Sequence, residues 1–433
     1  MRKRLFLGVL VTIAVSFAVV VTTGAASSRP GAKSSAQVLP SSSCLPVVYH
    51  GSGKPKFLIA SDLPLQGANR PQTTQMTKAI QFVLAGQGYK AGAYSVGYQA
   101  CDDSTAQAGK WDAAKCTANA RAYAADKSVI GVIGTFNSGC AKLVIPILNR
   151  APNGPLAMIT PANTYPGLTH AAPPITVAGE PGVYYPTGKR NYARVVATDD
   201  FQGPADALMA QKLGVKKVYV LTDNETYGEG IAKAFLLAAQ KLGMQIVGNE
   251  VWDPKASDYS ALATKIAGSG AQGVFFGGIV CNNGAALLKG IRAGVGANVK
   301  FVGPDGWTPF SAVGAGGDGM YVSVAGLPNN ALGATGKAFI KAFVKYQKRQ
   351  PDPYAVYAAQ AAVVLLQDIA SSNGTRSSVA AGLFKVKVKN GILGTFRIDK
   401  NGDTTLKGIT IYLVQNGNGT AYTTIYPPVS LTK

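Results

Sequence analysis

Short apolar runs alternate along this chain with longer segments whose apolar positions recur every three or four residues. In the first half the runs at 56–60, 94–99, 129–136 and 156–160 read as buried strands, and the segments at about 72–87, 111–125 and 138–149 read as helices. A second series repeats the pattern, with helices at 204–213, 229–242, 259–267 and 284–293 and strands at 217–221, 245–251, 273–277 and 300–302. In the helix from Ile231, the residues Ile231, Phe235, Leu236 and Ala239 form one apolar stripe suited to packing on a sheet. A helix pair at 335–347 and 353–369 and closing strands that include 408–414 complete the pattern. Alternation of this kind predicts an α/β fold of two similar open parallel-sheet lobes with helices on both faces.

The strand ends share a grammar. The run 129–136 breaks into Asn137-Ser138-Gly139, the run 156–160 into Pro161-Ala162-Asn163-Thr164, and Phe301-Val302 into Gly303-Pro304-Asp305-Gly306. In an open parallel sheet the carboxyl ends of strands line the crevice where ligands sit, so these breaks mark a binding site.

At the amino terminus Arg2-Lys3-Arg4 precedes an apolar stretch from Leu5 to Val21 and then Gly24-Ala25-Ala26, the pattern of an export signal at 1–26. An uncleaved anchor is the competing reading, and both place the folded part outside the cytoplasm. Residues rich in Ser, Ala, Pro and Gly follow, so 27–54 is expected to be a flexible tether. No later stretch reads as long and apolar enough to span a membrane.

Composition narrows the picture. With 47% hydrophobic residues, 51 glycines and 15% charged residues, the chain describes a compact globule and not a disordered or fibrous one. The formal net charge of +21 favours association with an anionic membrane or wall surface. The lysines are spaced singly, as at Lys337, Lys341, Lys345 and Lys348, with no aromatic platform beside them, which argues against nucleic acid. Five cysteines in an exported chain favour disulfides with one thiol left over. The expected bridge is Cys101 to Cys116 across a short loop; Cys140 and Cys281 stay ambiguous, and lipidation at Cys44 is disfavoured because the apolar run ends some twenty residues earlier. The two histidines, His50 and His170, lack a neighbouring His or Cys, so no metal site is expected. There is no apparent catalytic triad or phosphate-cradling loop, and the adjacent acids Asp102-Asp103 and Asp199-Asp200 read as loop and hinge caps. An enzyme is therefore not expected, nor a cofactor.

Several stretches carry a family resemblance: Ser61-Asp62-Leu63-Pro64-Leu65-Gln66-Gly67, Cys101-Asp102-Asp103, the run from Ile133 to Ser138, and the run from Pro161 to Thr169. Arg194 with Thr198 to Gly203, the stretch from Asp223 to Gly230, Phe276-Gly277-Gly278 and Gly303 to Gly306 continue it in the same order. The chain resembles the extracytoplasmic solute-binding proteins of the branched-chain amino acid type, the receptor components of ABC importers. The resemblance implies a type 1 periplasmic-binding-protein clamshell with three crossovers, near 194–199, 325–330 and 398–405. Lobe 1 would then comprise 55–193 and 330–398, and lobe 2 would comprise 194–329 and 399–433. It further implies a permease and an ATPase as partners, and an amino acid, amide or aromatic acid as ligand. A ligand-binding sensor or adhesin built on the same clamshell is the alternative.

The same resemblance assigns the site. Ser138 and Gly139 would hold a carboxylate through helix-initiating amides, or else Asn137 or Ser138 is merely a helix cap. Ala162 and Thr164 match positions that meet the ligand's amino and carboxylate groups; a plain turn before Pro166 is the other reading. Asp305 matches the acid that pairs with a ligand ammonium, although Asp in Pro-Asp-Gly is also a common turn residue. Tyr227 matches an aromatic that covers the ligand, Gln66 lies in the matching opening stretch, and Ile279 stands where aliphatic amino acid binders often carry an aromatic. Branched-chain specificity therefore does not follow.

Overall fold

The computed structural model describes residues 39–40 and 42–432. The export segment and most of the expected tether lie outside the described residues.

The first sheet is built from β1 (Phe57–Leu63), β2 (Lys90–Ala91), β3 (Tyr94–Asp102), β6 (Val129–Gly134), β7 (Ala157–Thr160) and β8 (Tyr192–Arg194), in the order β2-β3-β1-β6-β7-β8. Between β3 and β6 a small hairpin of β4 (Ser104–Thr105) and β5 (Lys110–Trp111) stands apart from the sheet. The helices α1 (Arg70–Gly86), α2 (Ala113–Ala125) and α3 (Ser138–Asn149) return the chain between parallel strands. The strands β1, β6 and β7 are buried along their whole length, as largely apolar strands in a sheet covered on both faces should be.

The second sheet uses β9 (Lys217–Thr222), β10 (Gln245–Val251), β11 (Gly273–Gly277), β12 (Lys300–Gly303) and β13 (Tyr321–Ala325), followed late in the chain by β16 (Ile409–Gln415) and β17 (Asn418–Ile425). Its helices are α4 (Asp199–Lys212), α5 (Thr226–Lys241), α6 (Ser260–Gly268) and α7 (Gly284–Val295). Before β16 the chain returns to the first sheet through α8 (Ala334–Gln347), α9 (Pro353–Ser371), α10 (Arg376–Gly382) and a hairpin of β14 (Lys387–Gly391) and β15 (Gly394–Arg397). Passage between the sheets thus occurs three times: between Arg194 and Asp199, between Ala325 and Ala334, and between Arg397 and Ile409.

Three expectations are corrected. Cys101 does not bridge to Cys116: the disulfides are Cys44–Cys101 and Cys116–Cys140, and Cys281 is free. Packing of α2 against α3 brings Cys116 to Cys140, while Cys101, at the end of β3, meets the segment that runs antiparallel along that strand's edge. That segment is the second correction. The expected tether is ordered from Leu39, with Val48 and Tyr98 exchanging backbone hydrogen bonds of 2.8 and 3.0 Å and Leu39 buried, because β3 offers a free edge beyond the two-residue β2. The third is α9, which is long and apolar enough to cross a membrane by length and composition. It is instead a core helix, packed on α1, β6 and β7.

Candidate functional site

The carboxyl ends of the two sheets face each other, and the strand-end breaks meet there. Asn137 occupies the cap position of α3 without a capping side-chain bond, and its Oδ1 is buried with no hydrogen-bond partner. The cap reading of Asn137 therefore fails, and the amides of Ser138 and Gly139 are left without intrahelical acceptors by helix geometry. Ser138 Oγ accepts a long bond of 3.4 Å from the Tyr165 amide. After β7, the Thr160 hydroxyl turns the chain by accepting from the amides of Ala162 (3.1 Å) and Asn163 (3.0 Å). Thr164 lies next in this loop, buried, with its Oγ1 unpartnered and its carbonyl accepting the Asp199 amide at 2.9 Å.

From the second sheet come Tyr227, in the first turn of α5, and Asp305, just after β12. Tyr227 donates its hydroxyl to Asp305 Oδ1 (2.6 Å) and accepts from the Gly306 amide (3.0 Å). Gln202 Nε2 adds a bond of 2.9 Å to the same oxygen, while Tyr354, on α9, donates to Asp305 Oδ2. Asp305 is thus no plain turn residue: its carboxylate ties the second sheet to a helix of the first. Burial pushes its pKa up against the pull of the donors Tyr227, Tyr354 and Gln202. Ile279 is buried beside Tyr227, and its amide donates to Asp223 Oδ2 at 2.8 Å. Gln66 is committed elsewhere: its side-chain amide donates to Asp102 Oδ2 (2.7 Å) and the Ser104 carbonyl (3.3 Å), fixing the β4-β5 hairpin.

Sequence reasoning missed three members. Asp199, read as a hinge cap, opens α4 with both carboxylate oxygens buried and without hydrogen-bond partners. Burial holds its pKa well above the usual carboxylate range, the hydroxyl of Thr164 opposes this, and the charge of Asp305 reinforces it. Gln202, one turn on, bonds Asp305 and Ser323 Oγ, both at 2.9 Å. Tyr354 comes from a helix more than 40 residues beyond Asp305, so only the return of the chain brings it in. For Asp199 a signal existed: an acid at the first helical position directly after a strand end lies in the crevice by the same grammar that marked the other residues.

Behind the site Arg194 is wholly buried, with its guanidinium donating to the carbonyls of Asn163 (2.8 Å) and Tyr165 (3.0 Å) and to Thr169 Oγ1 (2.8 Å). It pairs with Asp403 at 2.9 Å, so the loop carrying Thr164 is clamped to the third crossover. His170 lies between Asp403 (2.9 Å) and Asp200 (3.1 Å). Burial lowers its pKa, but the two carboxylates outweigh this and raise it to about 9.

The cluster of Asp103, Cys116 and Cys140 has its sulfurs joined in a disulfide, and burial pushes the free Cys281 thiol up to about 11. The arrangement can hold a small molecule by its charges: helix amides on one lobe and carboxylates on the other.

Comparisons with known proteins bear on the fold and the family. Residues 61–419 match the family model described as "Periplasmic binding protein". An "Amino acid binding protein" of Pseudomonas aeruginosa is 28% identical over 286 residues, covering 65% of this chain and 71% of that protein. Among solved structures, a leucine binding protein of Thermotoga maritima superposes with a TM-score of 0.73 at 22% identity, covering 86% of this chain and 99% of that one. A solute-binding protein of an ABC transporter from R. palustris, solved in complex with benzoate, gives a TM-score of 0.70 at 19% identity, covering 86% and 96%.

Proposed function

We propose, from the premise that this chain belongs to the periplasmic binding protein family, that it is the extracytoplasmic receptor of an ABC importer and captures a small zwitterionic solute between its lobes. The observation that carries this reading is Asp199: a buried carboxylate with no hydrogen-bond partner, close enough to Asp305 for the two charges to raise its pKa. Two buried acids in one crevice are costly unless a cation meets them, and an ammonium group is the cation a small solute supplies. On the facing lobe the amides of Ser138 and Gly139 suit a carboxylate. Thr164 Oγ1, buried and unpartnered in the loop after β7, and the Ala162 carbonyl of the same loop are further groups this reading assigns to the ligand. The acids favour an amino acid or amino amide over an aromatic acid, which carries no positive group. Hinge motion at the three crossovers would open and close the crevice, and a membrane permease with its ATPase would receive the closed form.

The test is a thermal-shift screen against amino acids, amides and aromatic acids, followed by calorimetry. A ligand that binds only the folded protein raises its melting temperature. Asp305→Ala and Ser138→Ala should each weaken the best ligand by about 1.5–3 kcal/mol, the worth of a charge-assisted hydrogen bond. Unchanged affinity in both variants would reject this site.

A further inference from the structure

The β4-β5 hairpin reaches across the crevice. Asp102 Oδ1 anchors it to the first lobe by accepting from the amides of Ser104 (2.9 Å) and Leu65 (2.8 Å), and Gln66 bonds it from the side. Its far end turns to the second lobe. Lys110 Nζ lies 2.6 Å from both Glu225 Oε1 and Asn282 Oδ1, and Trp111 Nε1 donates to Glu225 Oε2 at 2.8 Å. Glu225 is itself held, through its amide on Asp223 Oδ1 (3.0 Å) and through Asn282 Nδ2 on its Oε1 (3.0 Å).

This anchoring sets the position of one large ring. The Trp111 indole lies directly on Gly139: a Cβ built there would meet Trp111 Cζ2 at 2.6 Å, so glycine is required for the ring to seat. The same indole packs against the first-lobe cluster that contains Cys140 and Tyr165 and against the second-lobe cluster that contains Tyr227 and Ile279. It therefore sits against the first turn of α3, beside the residues whose amides suit a carboxylate, and bridges packing from both lobes.

We propose that Trp111 is the specificity-determining residue of this site and restricts it to solutes with a short side chain. The inference rests on the reading of the crevice as an amino acid site. With the carboxylate held at Ser138 and Gly139 and the ammonium at the acids, the remaining substituent on the α-carbon projects toward the wall that Trp111 and Ile279 form. The hydrogen bond and ion pair at Glu225 hold the ring there, so the space it takes is not recovered by a rotamer change. On this proposal a glycine, alanine or serine side chain leaves the ring in place. A leucine or phenylalanine side chain would have to displace it.

Calorimetry of glycine, alanine, valine, leucine and phenylalanine against wild type, Trp111→Ala and Trp111→Phe tests this, with melting temperature recorded for each protein. Wild type should prefer alanine to leucine by about 10-fold or more, the scale of discrimination by a few methylenes in an apolar pocket. Trp111→Ala should raise the leucine-to-alanine affinity ratio by at least about 10-fold, and Trp111→Phe should fall between. A folded Trp111→Phe protein carries the test if the alanine variant does not fold. Binding in wild type and variants with an unchanged rank order overturns the role of Trp111 alone. Binding of no amino acid by any of the proteins overturns the underlying site reading, and this inference with it.

Discussion

Asp199 and Asp200 are neighbours in sequence at the start of one helix, and their surroundings are opposite. Asp199 turns into the crevice, where its carboxylate is wholly buried with the Thr164 hydroxyl nearby to offset its burial. Asp200 turns to the hinge, where His170 and Thr198 bond it. The hinge region extends this satisfaction through Asp403 to Arg194, every charge meeting an opposite one. The crevice instead accumulates unpartnered groups: Asp199, Thr164 Oγ1 and Asn137 Oδ1. Pairing of this kind fixes a pivot, whereas unpaired polar atoms in a crevice are available to another molecule.

The contrast can be broken most forcefully at the hinge. Arg194→Met leaves Asp403 with His170 and Thr169 only and strands the carbonyls of Asn163 and Tyr165, and should cost about 3–5 kcal/mol in a denaturant titration, as expected when one partner of a buried ion pair is removed. A loss below about 1 kcal/mol would show that the hinge charges are as dispensable as surface pairs.

Next comes the pair of adjacent acids. Asp199→Asn should weaken the best amino acid ligand by about 1.5–3 kcal/mol, while raising the melting temperature at neutral pH. Burial, the first cause, raises the Asp199 pKa in the folded protein, so the folded state holds a proton that the unfolded chain releases above its ordinary value of 3.8. The stability gained by the variant should therefore be absent near pH 3 and grow as pH rises. Asp200→Asn should do the reverse, lowering stability with ligand affinity kept, and matching effects from the two substitutions would abolish the distinction drawn here.

His170 sharpens the hinge side alone. Its pKa is raised to about 9 from 6.5, because Asp200 and Asp403 outweigh the opposing effect of burial. A raised value means the stabilisation is fully present below about pH 6.5 and is lost as pH climbs through about 9. Melting curves across that window should fall in wild type and flatten in His170→Gln; parallel curves would remove His170 from the pivot.

The smallest effect separates two helix starts. Asp112 caps α2 by accepting the Lys115 amide at 2.9 Å, whereas Asn137 makes no such bond at α3. Asp112→Ala should cost about 1 kcal/mol, and Asn137→Ala less than about 0.5 kcal/mol. Equal losses would mean that Asn137 caps its helix after all.

Much of the candidate site was legible before any coordinates because its residues follow strand ends. Ser138, Gly139, Ala162, Thr164 and Asp305 all lie within a few residues of the carboxyl end of a parallel strand, and local pattern reports such positions well. Gln66 and Tyr354 were not readable in that way. The first sits in the matching stretch but turns to the hairpin, and the second belongs to a helix whose approach depends on the chain's late return. Trp111 was read only as a helix start, although it ends the strand of a two-residue hairpin too short to leave a period. The tether failed for a similar reason: low periodicity at 39–54 cannot reveal that a neighbouring strand has an edge to cover.

Sequence alone determined the alternation of strand and helix, the two-sheet α/β class and the position of the crevice along the chain, because each is written in apolar period and in the residues that end strands. Tertiary structure alone decided which cysteines pair, which of two adjacent acids turns into the crevice, and which aromatic ring lies on Gly139. Those outcomes depend on distances between elements far apart in the chain. Such distances are set by how helices and sheets pack together, and no local run of residues carries them.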